Sequence, residues 1–454
     1  MFNKIKKIIL LGGDIFFLYT SLYLALMIRY ASIPDKAILE KHITDFTFVF
    51  AIWILVFFVY NLYQLNLASQ KTNFYKYSLQ AFITAGLISI IYFYLTPQTG
   101  ITPKTNLAVF IAVFIIVFFL WRKLYYTLLR SYIPREKVAI IGETEKIKSL
   151  IKELINSNYP GYKISFIIDP KNRKKEISHK IPVFNKINEL PHLINKKNIN
   201  TLVLASDPSS FEKLKNILFA SIHLKVNFVT FPRFYENTTG KIPLKIIDQT
   251  WFLQNLSEGG KAYFDAFKKI YDIVIALIIL IISLPLWPFI ILAIKLTDRG
   301  SIFFKQTRAG QYGRPFRIIK FRTMTDKGNN YAPTEKKDKR ITKTGSFLRK
   351  SRLDEIPQVI NVLKGEMSFV GPRPERPELI KELEQNIPFY KERMLVKPGI
   401  TGWDQISGEY HSPSPEDTWK KLQYDLFYIK NRSVYLDLSI ILKTISTIVG
   451  KTGR

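Results

Sequence analysis

Residues 270–296, IYDIVIALIILIISLPLWPFIILAIKL, form an apolar run that is long enough to cross a lipid bilayer as a single helix. Ser283, Pro285 and Pro288 interrupt the middle of this run. A proline inside a helix removes a backbone hydrogen bond and bends the helix, so the run predicts a broken helix rather than a straight one.

Basic residues flank the broken run at both ends, whereas a spanning helix usually has its positive charges on one side of the membrane. The flanking residues are Lys268, Lys269, Lys295, Arg299, Lys305 and Arg308. We therefore expect a helix that enters one leaflet, breaks at Ser283–Pro285 and leaves on the same face. A fifth, kinked span is the alternative.

Four further apolar stretches occupy the N-terminal third of the chain, at Ile8–Met27, Phe46–Tyr63, Leu79–Leu95 and Leu107–Trp121. Each is close to the roughly 17–25 residues that a spanning helix needs. A cleaved signal peptide is disfavoured, because three more spans follow the first. The basic loops favour a cytoplasmic N-terminus and a chain that returns to the cytoplasm. We predict a four-helix transmembrane domain over residues 1–130. For Asp14, inside the first span, an interfacial or helix-packing role is favoured over a functional one.

The pattern then changes to short apolar runs alternating with amphipathic helical stretches, which predicts a soluble α/β, Rossmann-like domain with a parallel sheet over residues 131–258. The predicted strands are Val138–Ile141, Ile164–Ile168, Thr201–Ala205 and Val226–Thr230. Gly142-Glu143-Thr144-Glu145 follows the first strand without the further glycines of a dinucleotide site. A structural or regulatory role is favoured over nucleotide binding, and the ligand is left open.

The composition narrows the class of partner. The chain has 66 Lys and Arg against 36 Asp and Glu, a net charge of +30, which predicts nucleic acid, an anionic membrane or a phosphorylated substrate. The basic residues are dispersed and no nucleic-acid-binding motif is evident, so we expect no nucleic acid. The absence of Cys excludes disulfides and a thiol nucleophile.

Residues 300–411 are rich in Gly, Pro, Arg and carboxylates. Asp354 and Glu355 lie near the start of a short predicted helix that ends at Gly365. The helix dipole, together with Arg349 and Arg352, is expected to keep the aspartate ionised. An ionised carboxylate beside arginines suits a covalent phosphoryl-transfer nucleophile, although the pair taken alone favours a capped surface helix with local ion pairs.

These motifs, in this order after a proline-broken helix, resemble the bacterial sugar transferase family of polyprenyl-phosphate hexose-1-phosphate transferases. The matching strings are Lys320–Met324, Leu353–Gln358, Gly371–Pro374 and Pro398–Gly402. The resemblance implies that residues 259–454 form a mainly α-helical, monotopic transferase domain with a re-entrant helix. The four spans and the α/β domain look like those of the family's long members.

The resemblance also implies a reaction. A hexose-1-phosphate would pass from UDP-glucose or UDP-galactose to undecaprenyl phosphate, releasing UMP and initiating exopolysaccharide, capsule or O-antigen synthesis. The expected location is the bacterial inner membrane, with the catalytic domain on its cytoplasmic face. A non-catalytic scaffold or regulator of polysaccharide assembly is the alternative, and a homodimer is left open.

Site residues carry over by their position in the motifs. Asp354 would be the nucleophile, and Glu355 would ligate Mg²⁺. Expected substrate contacts are Arg349, Arg373, Lys320, Arg322 and Gln358, of which Lys320 and Arg322 could equally be structural. Ser283 and Pro285 match the family's helix break.

Overall fold

The structure, a computed structural model, describes the following residues: 2–60, 62–63, 71–96, 103–132, 136–142, 147–156, 162–169, 181–205, 216–219, 224–256, 259–297, 300–325, 338, 340–407 and 414–449. The chain divides into two compact units. The first comprises Met1–Ile141, Ile155–Leu202 and Pro208–Phe228, and the second comprises Gly142–Leu154, Val203–Asp207 and Val229–Arg454. The three domain boundaries expected from the sequence stay a prediction.

Each of the four N-terminal apolar stretches falls on a helix, although Phe46–Tyr63 extends past the end of its helix at Val59. The helices are α1 (Phe2–Tyr30), α2 (Lys36–Val59), α3 (Lys71–Leu95) and α4 (Pro103–Tyr132). All four are long and apolar enough to cross a membrane. They share an aromatic core in which Trp53 is fully buried, with its ring edge-on to Phe114 and its indole N–H donated to Ser89 at 2.9 Å. Such a hydrogen bond joins helices where lipid offers no alternative partner.

A buried ion pair joins α1 to α4. Arg122 Nη2 lies 2.6 Å from Asp14 Oδ2, and the two side chains are 1% and 0% exposed. Arg122 also donates to the carbonyl of Leu62, and Trp121 donates its indole N–H to Asp14. These contacts agree with the expectation that Asp14 packs helices together.

The middle of the chain forms a five-stranded sheet with the order β3-β2-β1-β4-β5. Its strands are β1 (Glu136–Ile141), β2 (Tyr162–Ile168), β3 (Val183–Phe184), β4 (Thr201–Leu204) and β5 (Asn227–Thr230), and α5 (Lys148–Asn156) and α6 (Leu190–Lys197) lie between them in sequence. The β1–β2 and β2–β3 pairs are parallel, as predicted. Glu143 and Glu145 lie outside the described residues.

The C-terminal part is mostly helical. Two short helices, α7 (Phe231–Thr239) and α8 (Gln249–Asn255), precede the long apolar segment. That segment forms α9 (Ala262–Ser283), a 3₁₀ turn (Leu284–Leu286) and α10 (Trp287–Thr297). The α-helix is thus interrupted where Ser283 and Pro285 were expected to break it. With its 36 residues, the segment is the fifth in the described chain that is apolar and long enough to span.

The remaining elements surround the predicted site. They are β6 (Phe303–Ala309), β7 (Pro315–Phe321), α11 (Lys343–Ser351), α12 (Gln358–Leu363), β8 (Ser368–Val370), α13 (Pro377–Asn386), β9 (Gly399–Thr401), α14 (Pro415–Asn431) and α15 (Val434–Val449). Strands β6 and β7 form an antiparallel hairpin, and β8 pairs with β9 in parallel. One apolar core, which includes Val359, Val370 and Leu422, joins most of these elements, whereas Leu348 of α11 packs in a separate cluster with Ile290, Ile294 and Phe321.

A second buried carboxylate ties α9 to the rest of the C-terminal part. Asp437, at the start of α15, accepts hydrogen bonds from Lys268 and Tyr271 of α9 and from Tyr428 of α14. One turn further along α9, Asp272 accepts the backbone N–H of Phe369 in β8 at 3.2 Å. The N-terminal half of α9 is therefore fixed directly to α15 and β8, and through Asp437 to α14.

The contribution of the Arg122–Asp14 ion pair to stability can be tested with Arg122→Met. Removing the guanidinium leaves Asp14 buried without its cation, and losing one partner of a buried ion pair costs about 3–5 kcal/mol. We expect a marked drop in the thermal unfolding temperature of the detergent-solubilised protein. Lys123→Met, which changes the exposed neighbour, should leave that temperature nearly unchanged. Equal effects of the two substitutions would contradict a stabilising role for the pair.

Candidate active site

The predicted pair of carboxylates lies in a short 3₁₀ turn, Leu353–Glu355, between α11 and α12. The turn begins with Arg352, whose φ of 58° puts it in the left-handed region and reverses the chain as α11 ends. Pro357 caps the start of α12, so the carboxylates precede that helix instead of lying within it. Gly365, with φ 76°, follows the last turn of α12, as the sequence predicted.

Glu355 is surrounded by cations. Lys320 of β7 donates to Glu355 Oε1 at 2.7 Å, and Arg373 Nη2 lies 3.4 Å from the same oxygen. Arg352 Nη1 lies 3.8 Å from Oε2. Burial alone would raise the pKa of Glu355, but the charges of Lys320 and Arg373 and the hydrogen bond from Lys320 outweigh it and lower the pKa to about 2. Glu355 is therefore a carboxylate at any physiological pH.

Asp354 is in a different environment. The residue is 8% exposed, and its Oδ1 is buried without a hydrogen-bond partner among the described residues. Burial, followed by the charge of Glu355, raises the pKa of Asp354, and the charges of Lys320, Arg349 and Arg352 offset this only in part. The expectation that dipole and arginines dominate was therefore wrong in direction, because desolvation prevails and the aspartate precedes the short helix.

The other predicted site residues are distributed unevenly around the pair. Arg349 donates to the hydroxyl of Thr323 at 2.9 Å, and burial, partly offset by the charge of Asp354, lowers the pKa of its guanidinium. Arg322 is 7% exposed and donates to the carbonyl of Met324 and the hydroxyl of Ser301. Gln358 is buried at the first position of α12. Substrate contacts by these three residues stay predictions.

The helix break is connected to the same region through an aromatic contact. Trp287 donates its indole N–H to the Ser283 hydroxyl at 3.2 Å. Its ring packs edge-on against Phe321 at a centroid distance of 5.2 Å. Phe321 directly follows Lys320 in β7. One residue of this strand therefore contacts the helix break, and the preceding residue pairs with Glu355.

Sequence reasoning did not single out Arg393. This side chain is 6% exposed and donates to the carbonyl of Arg373 at 3.0 Å. The two residues are 20 positions apart and belong to no common periodic pattern, so no local signal joins them. A search for arginines near the recognised motifs would still have included Arg393, which precedes Pro398–Gly402 by five residues.

Comparison with known proteins assigns the family. The sequence profile of the bacterial sugar transferase family matches residues 263–451, and that of a CoA-binding domain matches residues 59–232. The uncharacterized sugar transferase EpsL of Bacillus subtilis is 39% identical over 190 residues, which cover 41% of this chain and 89% of EpsL. The chain belongs to the bacterial sugar transferase family. Both carboxylates and all of their cationic neighbours lie inside the family match.

Two relatives that are longer than EpsL carry names that state a reaction. The UDP-N-acetylgalactosamine-undecaprenyl-phosphate N-acetylgalactosaminephosphotransferase of Aeromonas hydrophila is 41% identical over 188 residues, 41% of this chain and 44% of that protein. The UDP-glucose:undecaprenyl-phosphate glucose-1-phosphate transferase of Xanthomonas campestris is 42% identical over 205 residues, 43% of this chain and 42% of that protein. The matches thus span less than half the length of either relative.

Proposed function

We propose that this bacterial sugar transferase moves a hexose-1-phosphate from a UDP-sugar to undecaprenyl phosphate and releases UMP. The named relatives support the two substrates and the type of transfer. They differ in the sugar, and the residues described here give no preference between glucose, galactose and N-acetylgalactosamine. The product would initiate an exopolysaccharide, a capsule or an O-antigen.

One observation carries the proposal of a covalent intermediate: among the described residues, Asp354 Oδ1 is buried without a hydrogen-bond partner, and the adjacent Glu355 is paired with Lys320 and Arg373. A nucleophile needs a free lone pair, and Asp354 Oδ1 has one. The neighbouring cations, Lys320, Arg352 and Arg373, suit the negative charge of a diphosphate. A non-catalytic scaffold would not require an unsatisfied buried carboxylate, which costs free energy.

The proposed reaction has two steps at the same carboxylate. In the first, an oxygen of Asp354 attacks the sugar-bearing phosphorus, and the bond from this phosphorus to the bridging oxygen breaks. UMP leaves with the bonding electron pair, and the sugar phosphate stays on Asp354. In the second, a phosphate oxygen of the lipid attacks the same phosphorus, and the aspartyl–phosphorus bond breaks. The carboxylate is regenerated, and neither step requires an oxidant or reductant.

The two carboxylates also suit a magnesium ion. Mg²⁺ is typically bound by one or two carboxylates together with substrate phosphates, so a cluster of three protein ligands is not required. Glu355 Oε1 is occupied by Lys320 and Arg373, whereas Oε2 has its nearest cation 3.8 Å away at Arg352. Glu355 Oε2, on the residue that follows Asp354, would hold the ion, which when bound neutralises charge on the diphosphate oxygens.

The membrane placement follows from where the apolar surface lies. Ile281, Ile282 and Phe289, on both sides of the helix break, are each about 70% exposed. Such side chains are stable in lipid and unfavourable in water. We propose that α9 and α10 enter and leave the same leaflet, which keeps the site on the cytoplasmic face, where UDP-sugars are made. The lipid phosphate would reach Asp354 from the headgroup layer of that leaflet.

The nucleophile can be tested with Asp354→Asn. Without an ionised carboxylate the covalent step is lost, and we expect UMP release from UDP-sugar, Mg²⁺ and undecaprenyl phosphate to fall at least about a thousandfold. Asp417→Asn, at the start of α14, is the matched control and should keep wild-type turnover. A panel of UDP-sugars assayed with the wild type would identify the hexose. Full activity in Asp354→Asn would rule out the two-step scheme and favour a different nucleophile.

The electrostatics predict a pH effect for Lys320→Met. The reaction needs ionised Asp354, so the rate falls as the pH drops through the pKa of this group. Removing the positive charge of Lys320, which lowers the pKa of both carboxylates, raises both pKa values. The acid limb of kcat/KM should therefore move to higher pH. Lys381→Met, on the exposed face of α13, should not move it. An unshifted limb in Lys320→Met would contradict the assigned role.

The topology can be tested by single cysteines, because the chain has no Cys of its own. Tyr263, 92% exposed in the first turn of α9, and Lys305, exposed after α10, would be changed singly to Cys. Neither should react with an impermeant thiol reagent applied outside intact cells, and both should react after permeabilisation. Ile33→Cys, between α1 and α2, should react from outside. External labelling at Lys305→Cys but not Tyr263→Cys would mean that the helix crosses.

A further inference from the structure

The loop that carries Arg373, residues 371–375, is held mainly through its carbonyl groups. Pro372 and Pro374 have no N–H to donate, which removes two of its usual backbone hydrogen bonds. Each of four consecutive carbonyls accepts a hydrogen bond instead. Pro372 accepts from the Gly399 N–H at 3.0 Å, Arg373 from Arg393 Nη2 at 3.0 Å, Pro374 from Arg308 Nη1 at 3.3 Å and Glu375 from the Ala309 N–H at 2.9 Å.

The carbonyl of Arg373 itself depends on a side chain that is rigidly held. Arg393 Nη2 lies 2.8 Å from Asp425 Oδ2, and its Nε donates to the same oxygen at 3.1 Å. Arg393 Nη1 lies 2.7 Å from the Tyr390 hydroxyl. Arg393 and Asp425 are 6% and 3% exposed. All three nitrogens of this planar group are engaged, so the donor to Arg373 has a fixed direction.

The side chain of Arg373, in contrast, has little support of its own. It is 44% exposed, and its guanidinium has a long contact of 3.4 Å with Glu355. A half-exposed arginine has many rotamers, and the position of its guanidinium is set largely by the backbone from which it extends. Whatever fixes the carbonyl of Arg373 therefore limits where the guanidinium can lie relative to Asp354 and Glu355.

We infer that Arg393 is a positioning residue, which holds the backbone of Arg373 so that the Arg373 guanidinium faces Glu355. This inference rests on the proposed function and adds a residue to it. Arg393 acts through Arg373, because its own donors are directed at Asp425, Tyr390 and the loop carbonyl.

A double-mutant cycle tests the inference. The variants are Arg393→Lys, Arg373→Ala and the two combined, and the measurement is kcat/KM for UMP release. A lysine can pair with Asp425 but cannot reach the tyrosine and the carbonyl as well. Because misplacement by about 1 Å can cost about 100-fold, we expect Arg393→Lys to lower kcat/KM by about 10- to 100-fold. With Arg373 already replaced, the same change should alter it by less than about twofold.

The matched control is Arg432→Lys. Arg432 is also buried, lies 2.9 Å from Asp265 and donates to the carbonyl of Ile429 at 2.9 Å. Arg432→Lys should lower the unfolding temperature about as much as Arg393→Lys does. Its effect on kcat/KM should be additive with that of Arg373→Ala. If Arg393→Lys does not fold, Tyr390→Phe, which removes only one partner of Arg393, replaces it in the cycle.

The outcomes are distinct. Additive losses for Arg393 and Arg373, or an unchanged kcat/KM in the single Arg393 variant, would overturn the positioning role while leaving the transferase proposal intact. A wild-type protein that released no UMP from any UDP-sugar would instead reject the transferase proposal and this inference with it.

Discussion

The site depends on keeping Glu355 charged while it is almost removed from water. Burying an unpaired carboxylate costs several kcal/mol, and a buried ion pair is stable only where geometry and hydrogen bonds are good. Lys320 comes from a strand, Arg352 from a turn and Arg373 from a loop, and all three converge on this one group. The electrostatic requirement of Glu355 thus also fixes how these three pieces of chain approach one another.

The same arrangement gives two adjacent carboxylates opposite properties. Glu355 takes up most of the nearby positive charge, and its pKa falls to about 2. Asp354 is desolvated and lies next to the negative charge of Glu355, so its pKa rises. Its Oδ1 has no hydrogen-bond partner among the described residues. Neighbouring acidic groups whose pKa values are pushed apart usually have separate tasks. In the proposed mechanism Glu355 would organise the cations and the metal, and Asp354 would remain available to react.

Local patterns made the architecture predictable, and long-range contacts limited what could be predicted of the site. Run length identified the membrane helices, and alternating short runs identified the parallel sheet. Proline positions located the break at Ser283. The sequence also pointed to Lys320, Asp354 and Arg373, but not to their distances or to the extent of burial. Burial determines the sign of the Asp354 pKa shift, so dipole and charge reasoning alone gave the wrong direction.

The hydrogen bonds to Asp437 attach the long apolar segment, α9 and α10, to the rest of the C-terminal part. Lys268, Tyr271 and Tyr428 all point their polar ends at this carboxylate, which belongs to the last helix described. A fragment truncated after α14 would leave the Lys268 ammonium with only Asp272, 4.0 Å away, as a counter-ion and would leave the hydroxyls of Tyr271 and Tyr428 without their acceptor. Helix α15 thus holds the N-terminal half of α9 in place, and shortened versions of the protein need to retain it.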